Sequence, residues 1–183
     1  MAVIKQAAII GGGVIGAGWI SRLIENGIDV SVYDPAADAA EKVEAVLKNS
    51  RYAYSKLISG PRCNEGSVEF CDSIAAAVAS AELIVESVPE RLDIKQTVYA
   101  EIEASATIDA LIASSTSGIM PSDLQAKMKH PERLLVAHPF NPVYLLPLVE
   151  LVGGKSTTME TIERAREIYH AVGMHPLHVK KEI

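Results

Sequence analysis

The sequence has little cysteine. Its two, Cys63 and Cys71, stand at no metal-ligand spacing and are too few for a disulfide scaffold, which leaves reduced thiols in a cytoplasmic chain as the expectation. It has no run long enough to span a bilayer as a helix. The longest uncharged stretch, Gln6 to Ser21, is broken by glycines at 11, 12, 13, 16 and 18, so it lacks the continuous apolar core of a signal peptide. Blocks of like charge are missing too: 17 Lys and Arg stand against 23 Asp and Glu, a net charge of -6, without the basic footprint of a nucleic-acid binder. Neither a nucleic acid nor a membrane is therefore expected as a partner. There is no internal repeat, low-complexity tract or linker.

What is present is an ordinary globular composition, 49% hydrophobic and 22% charged over 183 residues, enough for one domain with its own core. Short β runs alternate with helical runs almost throughout. Residues 7–10 form an apolar run ending in glycines, and Ile15, Trp19, Ile20, Leu23 and Ile24 then recur at helical spacing until Gly27. A second strand is read at 28–33. A helix from Asp38 follows, with Val43, Val46, Leu47, Tyr54 and Leu57 on one face, up to the breaker Ser59, Gly60, Pro61. Further strands are expected at 68–71, 83–86, 111–114, 134–138, 147–152 and 176–179, with helices at 74–81, 92–106, 122–129 and 158–171. His130 reads as a helix C-terminal residue and Met120 as packing. Parallel strands need crossovers, and helices supply them, so the pattern predicts an α/β, Rossmann-type doubly wound, mostly parallel sheet with helices on both faces.

Gly11, Gly13 and Gly16 form G-x-G-x-x-G between the first strand and the first helix, with Val14 and Ile15 inside the motif. The first glycine permits a tight turn, the second lets a pyrophosphate approach the backbone, and the third lets helix and strand pack closely. The helix N-terminus then offers free N–H groups to the phosphates. Asp34 ends the second strand, 18 residues beyond Gly16, where a carboxylate binds a ribose 2′-hydroxyl and repels a 2′-phosphate. Proline rather than arginine follows it. The cofactor expected is NAD rather than NADP.

Three more stretches lie at or after β runs, where open α/β sheets build their sites: V-E-S-V-P-E-R at 85–91, S-S-T-S-G at 114–118, and H-P-F-N-P-V-Y-L-L-P-L-V-E at 138–150. On residue type alone, His138 can be a base for an alcohol proton, and Glu150, twelve positions on, can orient it. Equally, His138 can be a polar strand end and Glu150 the outward residue of an alternating strand. A Ser-His-Glu hydrolase is disfavoured because G-x-S-x-G is absent. His170, His175 and His178 fit no ligand motif, and no metal is expected.

Together with the glycine turn, these stretches resemble the N-terminal domain of the 3-hydroxyacyl-CoA dehydrogenase family along essentially the whole chain. The resemblance implies catalytic roles for His138, Glu150 and Ser117, with Ser117 near both nicotinamide and substrate oxygen. It further implies that Glu90 and Lys95 line the cofactor and that Asn141 belongs to the catalytic loop. It implies a helical C-terminal domain, absent from this chain, that closes the crevice and makes a homodimer, so that these residues bind NAD but do not turn over substrate efficiently alone. A rival from another class is a dinucleotide-binding protein that keeps the fold without the chemistry.

Residues 35–72 hold five basic and six acidic side chains, a poor match for the polyphosphate of coenzyme A. A small free 3-hydroxy acid is the expected substrate. Within the family, the loop at 138–154 is similar to that of members oxidising the 3-hydroxyl of L-carnitine, and less closely to that of members acting on L-gulonate. Carnitine's quaternary ammonium calls for aromatic faces, and Phe140 and Tyr144 are the loop's aromatics, Tyr144 being the candidate cage residue.

Overall fold

A computed structural model describes residues 4–57 and 64–182 of the chain. Cys63 and the breaker at Ser59, Gly60, Pro61 lie outside the described residues. Cys71 carries a free thiol.

Eight strands form one sheet: β1 (Gln6–Ile10), β2 (Asp29–Tyr33), β3 (Val68–Phe70), β4 (Leu83–Glu86), β5 (Leu111–Ser114), β6 (Leu134–Pro139), β7 (Leu148–Gly153) and β8 (His175–Val179). Their spatial order is β3-β2-β1-β4-β5-β6-β7-β8. Every neighbouring pair is parallel except β6 and β7, which run antiparallel. The chain order therefore reverses between β1 and β4, the switch point at which such sheets open a crevice.

The helices are α1 (Val14–Glu25), α2 (Ala39–Leu57), α3 (Ile74–Val78), α4 (Leu92–Ser105), α5 (Pro121–Gln125) and α6 (Met159–Ala171), with a 3-10 turn at Pro131–Arg133. Period-two strand residues supply two separate cores. In β1, Ala7 and Ile9 join a cluster containing Trp19, Leu23, Val43 and Ile168 from α1, α2 and α6, whereas Ala8 and Ile10 join one containing Val78, Tyr99 and Leu124 from α3, α4 and α5. The strands read as nearly continuous apolar runs because both faces are covered. Burying each large aliphatic side chain contributes about 1.5–3 kcal/mol.

Several local expectations are corrected. α3 ends at Val78 rather than at 81, and α5 spans Pro121–Gln125 rather than 122–129. The proline starts α5 early by fitting its first position, and the buried Gln125 side chain then donates to the carbonyls of Pro131 and Leu134 and ends the helical run. Leu57 is 68% exposed in the last turn of α2, and Met120 is 44% exposed at the N-cap of α5, so neither packs. His130 precedes the 3-10 turn and donates its backbone N–H to Glu103 instead of closing a helix. Among the described residues, no helix is long and apolar enough to cross a membrane.

Candidate active site

The glycine turn has the shape its motif demands. Gly11 sits at φ +100°, and a Cβ there would lie 2.6 Å from the Ser87 carbonyl oxygen, so both backbone conformation and space exclude a side chain. A Cβ on Gly16 would meet the Gly11 oxygen at 1.9 Å, so helix and strand approach there only because it is absent. At Gly13, the N-cap of α1, nothing lies within 4 Å of the would-be Cβ. That open face over the helix N-terminus is where a pyrophosphate fits. Val14 is exposed beside it, and Ile15 is half-buried against the α1 side of the core.

Asp34 is fixed from both sides: one carboxylate oxygen accepts from Gly12 N at 2.7 Å and the other from Ala36 N at 2.8 Å. Beside it a cavity of about 560 Å³ opens at the ends of β1, β2 and β4, lined among others by Ile10, Gly13, Tyr33, Asp34, Val88 and Val98. Its apolar walls and single carboxylate suit a nucleoside.

Across the switch point, β6 and β7 set His138 directly opposite Glu150. Nδ1 of His138 lies 3.0 Å from a Glu150 carboxylate oxygen, with both side chains about one-third exposed. A carboxylate only accepts, so Nδ1 is the donor in this contact. A small cleft of about 50 Å³ brings His138 and Glu150 together with Thr116, Ser117, Ile119, Pro121, Val136 and Val152. Ser117 is exposed there on the loop after β5. The Phe140 ring, 40% exposed, lies 6.0 Å from the imidazole centroid. Asn141 is exposed in the same loop, whereas Tyr144 turns towards α2 and sets its ring edge-on to Tyr54 at 6.3 Å.

Beside the cleft lies a polar network centred on Glu86, which the motif reading does not single out. Glu86, with 0% exposure at the end of β4, accepts from Val88 N, Lys95 Nζ, Tyr99 OH and Ser114 Oγ at 2.5–2.9 Å. Lys95, 1% exposed, pairs with Glu86 at 2.6 Å and with Glu90 at 3.3 Å. Glu90 in turn accepts from Ser117 N and Gly118 N, each at 3.0 Å, and from Thr116 Oγ1. Burial pushes the Glu90 carboxyl up, but these hydrogen bonds and Lys95 outweigh it and hold the group below its ordinary value. Burial, reinforced by the Glu86 charge, drives the Tyr99 hydroxyl well above its usual range, so it stays a donor. Glu90 and Lys95 thus hold the Ser117 loop, and neither is among the residues lining the 560 Å³ cavity. The signal for Glu86 is its charge at the end of an otherwise apolar strand, L-I-V-E.

The model of the 3-hydroxyacyl-CoA dehydrogenase NAD-binding domain matches residues 6–183. The chain belongs to this family. As an NAD-binding domain of the 3-hydroxyacyl-CoA dehydrogenases, it takes NAD as its cofactor, and the glycine cradle and Asp34 fit that group. It is 58% identical, over its whole length, to an L-carnitine dehydrogenase of Mesorhizobium japonicum, of which it covers 50%. It is 54% identical to an L-carnitine dehydrogenase/betainyl-CoA thioesterase of Rhizobium meliloti, covering 37% of that protein. The chain therefore spans about half the length, or less, of these curated relatives. Among solved structures, an NAD+-dependent 5-formyl-3-hydroxy-2-methylpyridine 4-carboxylic acid 5-dehydrogenase superposes with a TM-score of 0.92 at 36% identity, over 99% of this chain and 59% of its own. The 3-hydroxybutyryl-CoA dehydrogenase of Escherichia coli gives 0.85 at 26% identity, over 96% of this chain and 38% of its own. This family's domain is thus a doubly wound dinucleotide binder, as its sequence pattern implies.

Proposed function

We propose that the protein oxidises the 3-hydroxyl of a small 3-hydroxy acid, L-carnitine foremost, to the 3-oxo acid. The observation carrying this reading is the His138–Glu150 pair facing Ser117 in one cleft, at the end of the sheet where β1 and β6 finish and where the glycine turn also lies. Bound NAD supplies the hydride acceptor. His138 Nε2 takes the hydroxyl proton as hydride leaves the carbinol carbon, and Glu150 stabilises the imidazolium that results. Ser117 Oγ holds the substrate oxygen. Glu90 and Lys95 keep the Ser117 loop in place at the cofactor's edge.

The likeness to L-carnitine dehydrogenases along the entire chain supports carnitine, and so does the near balance of charge in residues 35–72, a poor match for the polyphosphate of coenzyme A. The face of Phe140 beside His138 suits a quaternary ammonium, which attracts aromatic rings but donates no hydrogen bond. Asn141 adjoins it. Tyr144, packed on Tyr54, supports that surface from behind.

In this reading, residues beyond this domain form a helical partner that closes the cleft, excludes water and pairs two subunits of a cytoplasmic enzyme. A cleft of about 50 Å³ holds the reacting end of carnitine but not the whole molecule, which accords with a site completed from elsewhere. The test is NADH formation by full-length protein with L-carnitine, L-gulonate, 3-hydroxybutyrate and 3-hydroxybutyryl-CoA. Carnitine is expected to give the highest kcat/KM. A higher value with the acyl-CoA would overturn the substrate assignment, and no NADH with any of the four would overturn the activity.

A further inference from the structure

Helix α1 touches two catalytic loops within little more than one turn. Trp19, fully buried, donates Nε1 to Ser115 Oγ at 3.2 Å, and Ser115 stands two residues before Ser117. Three residues further on, Arg22 donates Nε at 3.3 Å and Nη2 at 3.0 Å to a single acceptor, the carbonyl of Val143 in the loop between β6 and β7. Gly18 faces the same residue. A Cβ on Gly18 would stand 2.9 Å from Val143 Cβ and 3.0 Å from Cγ2, well inside the roughly 3.5–4.0 Å of a comfortable carbon contact.

This arrangement costs something to make. Burial lowers the Arg22 pKa from its ordinary value, the sign of a cation drawn partly out of water. Two hydrogen bonds from that cation to one carbonyl offset the cost and define direction as well as distance. Val143 itself is fully buried against the helix. Its neighbours Phe140 and Asn141 are exposed towards solvent and free to meet a ligand.

We propose that Gly18 and Arg22 are positioning residues for the reaction, clamping the 140–146 loop onto α1. The claim rests on the reading of that loop as the substrate's. Since Gly13 and Gly16 at the N-terminal end of the same helix form the proposed cofactor cradle, α1 acts as a splint that registers the substrate loop against the cofactor. A misplacement of about 1 Å between reacting groups costs on the order of 10²-fold in rate, so a clamp acting on the loop backbone controls turnover without touching substrate.

The test uses full-length protein carrying Gly18→Ala, Arg22→Met or Arg22→Lys. Alanine favours the helix by about 1 kcal/mol over glycine, so Gly18→Ala keeps α1 intact while its methyl group pushes Val143 away. Gly18→Ala and Arg22→Met are expected to lower kcat/KM for L-carnitine by about 10-fold or more, with the Kd for NADH within about twofold, and Arg22→Lys to fall between. Amide exchange in 140–146 should quicken in Arg22→Met while that of 6–13 stays unchanged. The proposal is overturned if Arg22→Met leaves both that exchange and kcat/KM within about twofold, or if NADH affinity falls in step with turnover in either variant. Should Arg22→Met not fold, Gly18→Ala decides by the same kinetic criterion. If the unmodified enzyme oxidises no hydroxy acid, the functional reading fails, and the exchange measurement still decides whether the clamp exists.

Discussion

His138 and Glu150 are register partners across the antiparallel seam of a sheet that is otherwise parallel, and their side chains meet at 3.0 Å. The twelve-residue spacing is the consequence of that pairing: β6 runs out, the proline-bearing loop turns, and β7 returns the carboxylate to the imidazole. A parallel pairing would need a crossover and could not return a residue so soon.

Replacing His138 with alanine is expected to lower kcat on L-carnitine by about 10²–10⁴, with NADH affinity nearly unchanged. Glu150→Gln keeps an acceptor for Nδ1 but removes the charge behind the imidazolium, so its loss should be smaller. Steady-state kinetics beside an NADH fluorescence titration check both. Near-normal turnover in His138→Ala would leave the histidine as a strand end only.

Asp34→Ala should weaken NAD binding and shrink the preference over NADP by about 10-fold or more, equivalent to about 1.4 kcal/mol. The mechanism is loss of both the ribose acceptor and the charge that repels a 2′-phosphate. Titrations with the two dinucleotides measure it, and an unmodified protein that binds both equally would refute the assignment.

Lys95→Met leaves the Glu86 carboxylate buried without its cation, and such half-pairs cost about 3–5 kcal/mol. The double variant Glu86→Gln/Lys95→Met removes the orphaned charge and should recover part of that loss. Urea unfolding of the four proteins gives the cycle. Additive losses would show that the two groups do not act as a pair.

Glu90, held below its ordinary value when folded, contributes stability that is present above its unfolded pKa of about 4.3 and is lost as pH falls through the folded value. Glu90→Gln should therefore flatten the acid side of the stability profile and leave the neutral side nearly parallel to that of the unmodified protein. Thermal unfolding between about pH 3 and pH 6 reads it. An unchanged acid limb would remove Glu90 as its source.

The parts legible from sequence are those in which one residue does one local job. Gly11 and Gly16 show the backbone or spatial reason their motif implies, and the strands at 83–86 and 111–114 stand where apolar runs predict them. The parts that were not legible depend on distant partners. Glu86 finds Ser114 across 28 residues, and Arg22 finds Val143 across 121, and no periodicity announces either contact. Tyr144 reads as a ligand-facing aromatic from its loop, yet its partner is Tyr54 on α2. The overrun of the reading at 122–129 has the same origin, since α5 is cut short by hydrogen bonds from Gln125 to carbonyls up to nine residues away.

Asp34 has its rotamer chosen before any ligand arrives, because Gly12 N and Ala36 N hold its two oxygens. A free side chain immobilised on binding forfeits roughly 0.5–1.5 kcal/mol of affinity to lost entropy. At Asp34 that entropy is surrendered while the chain folds, so under the proposed role a ribose would meet a carboxylate whose ordering no longer weakens the complex.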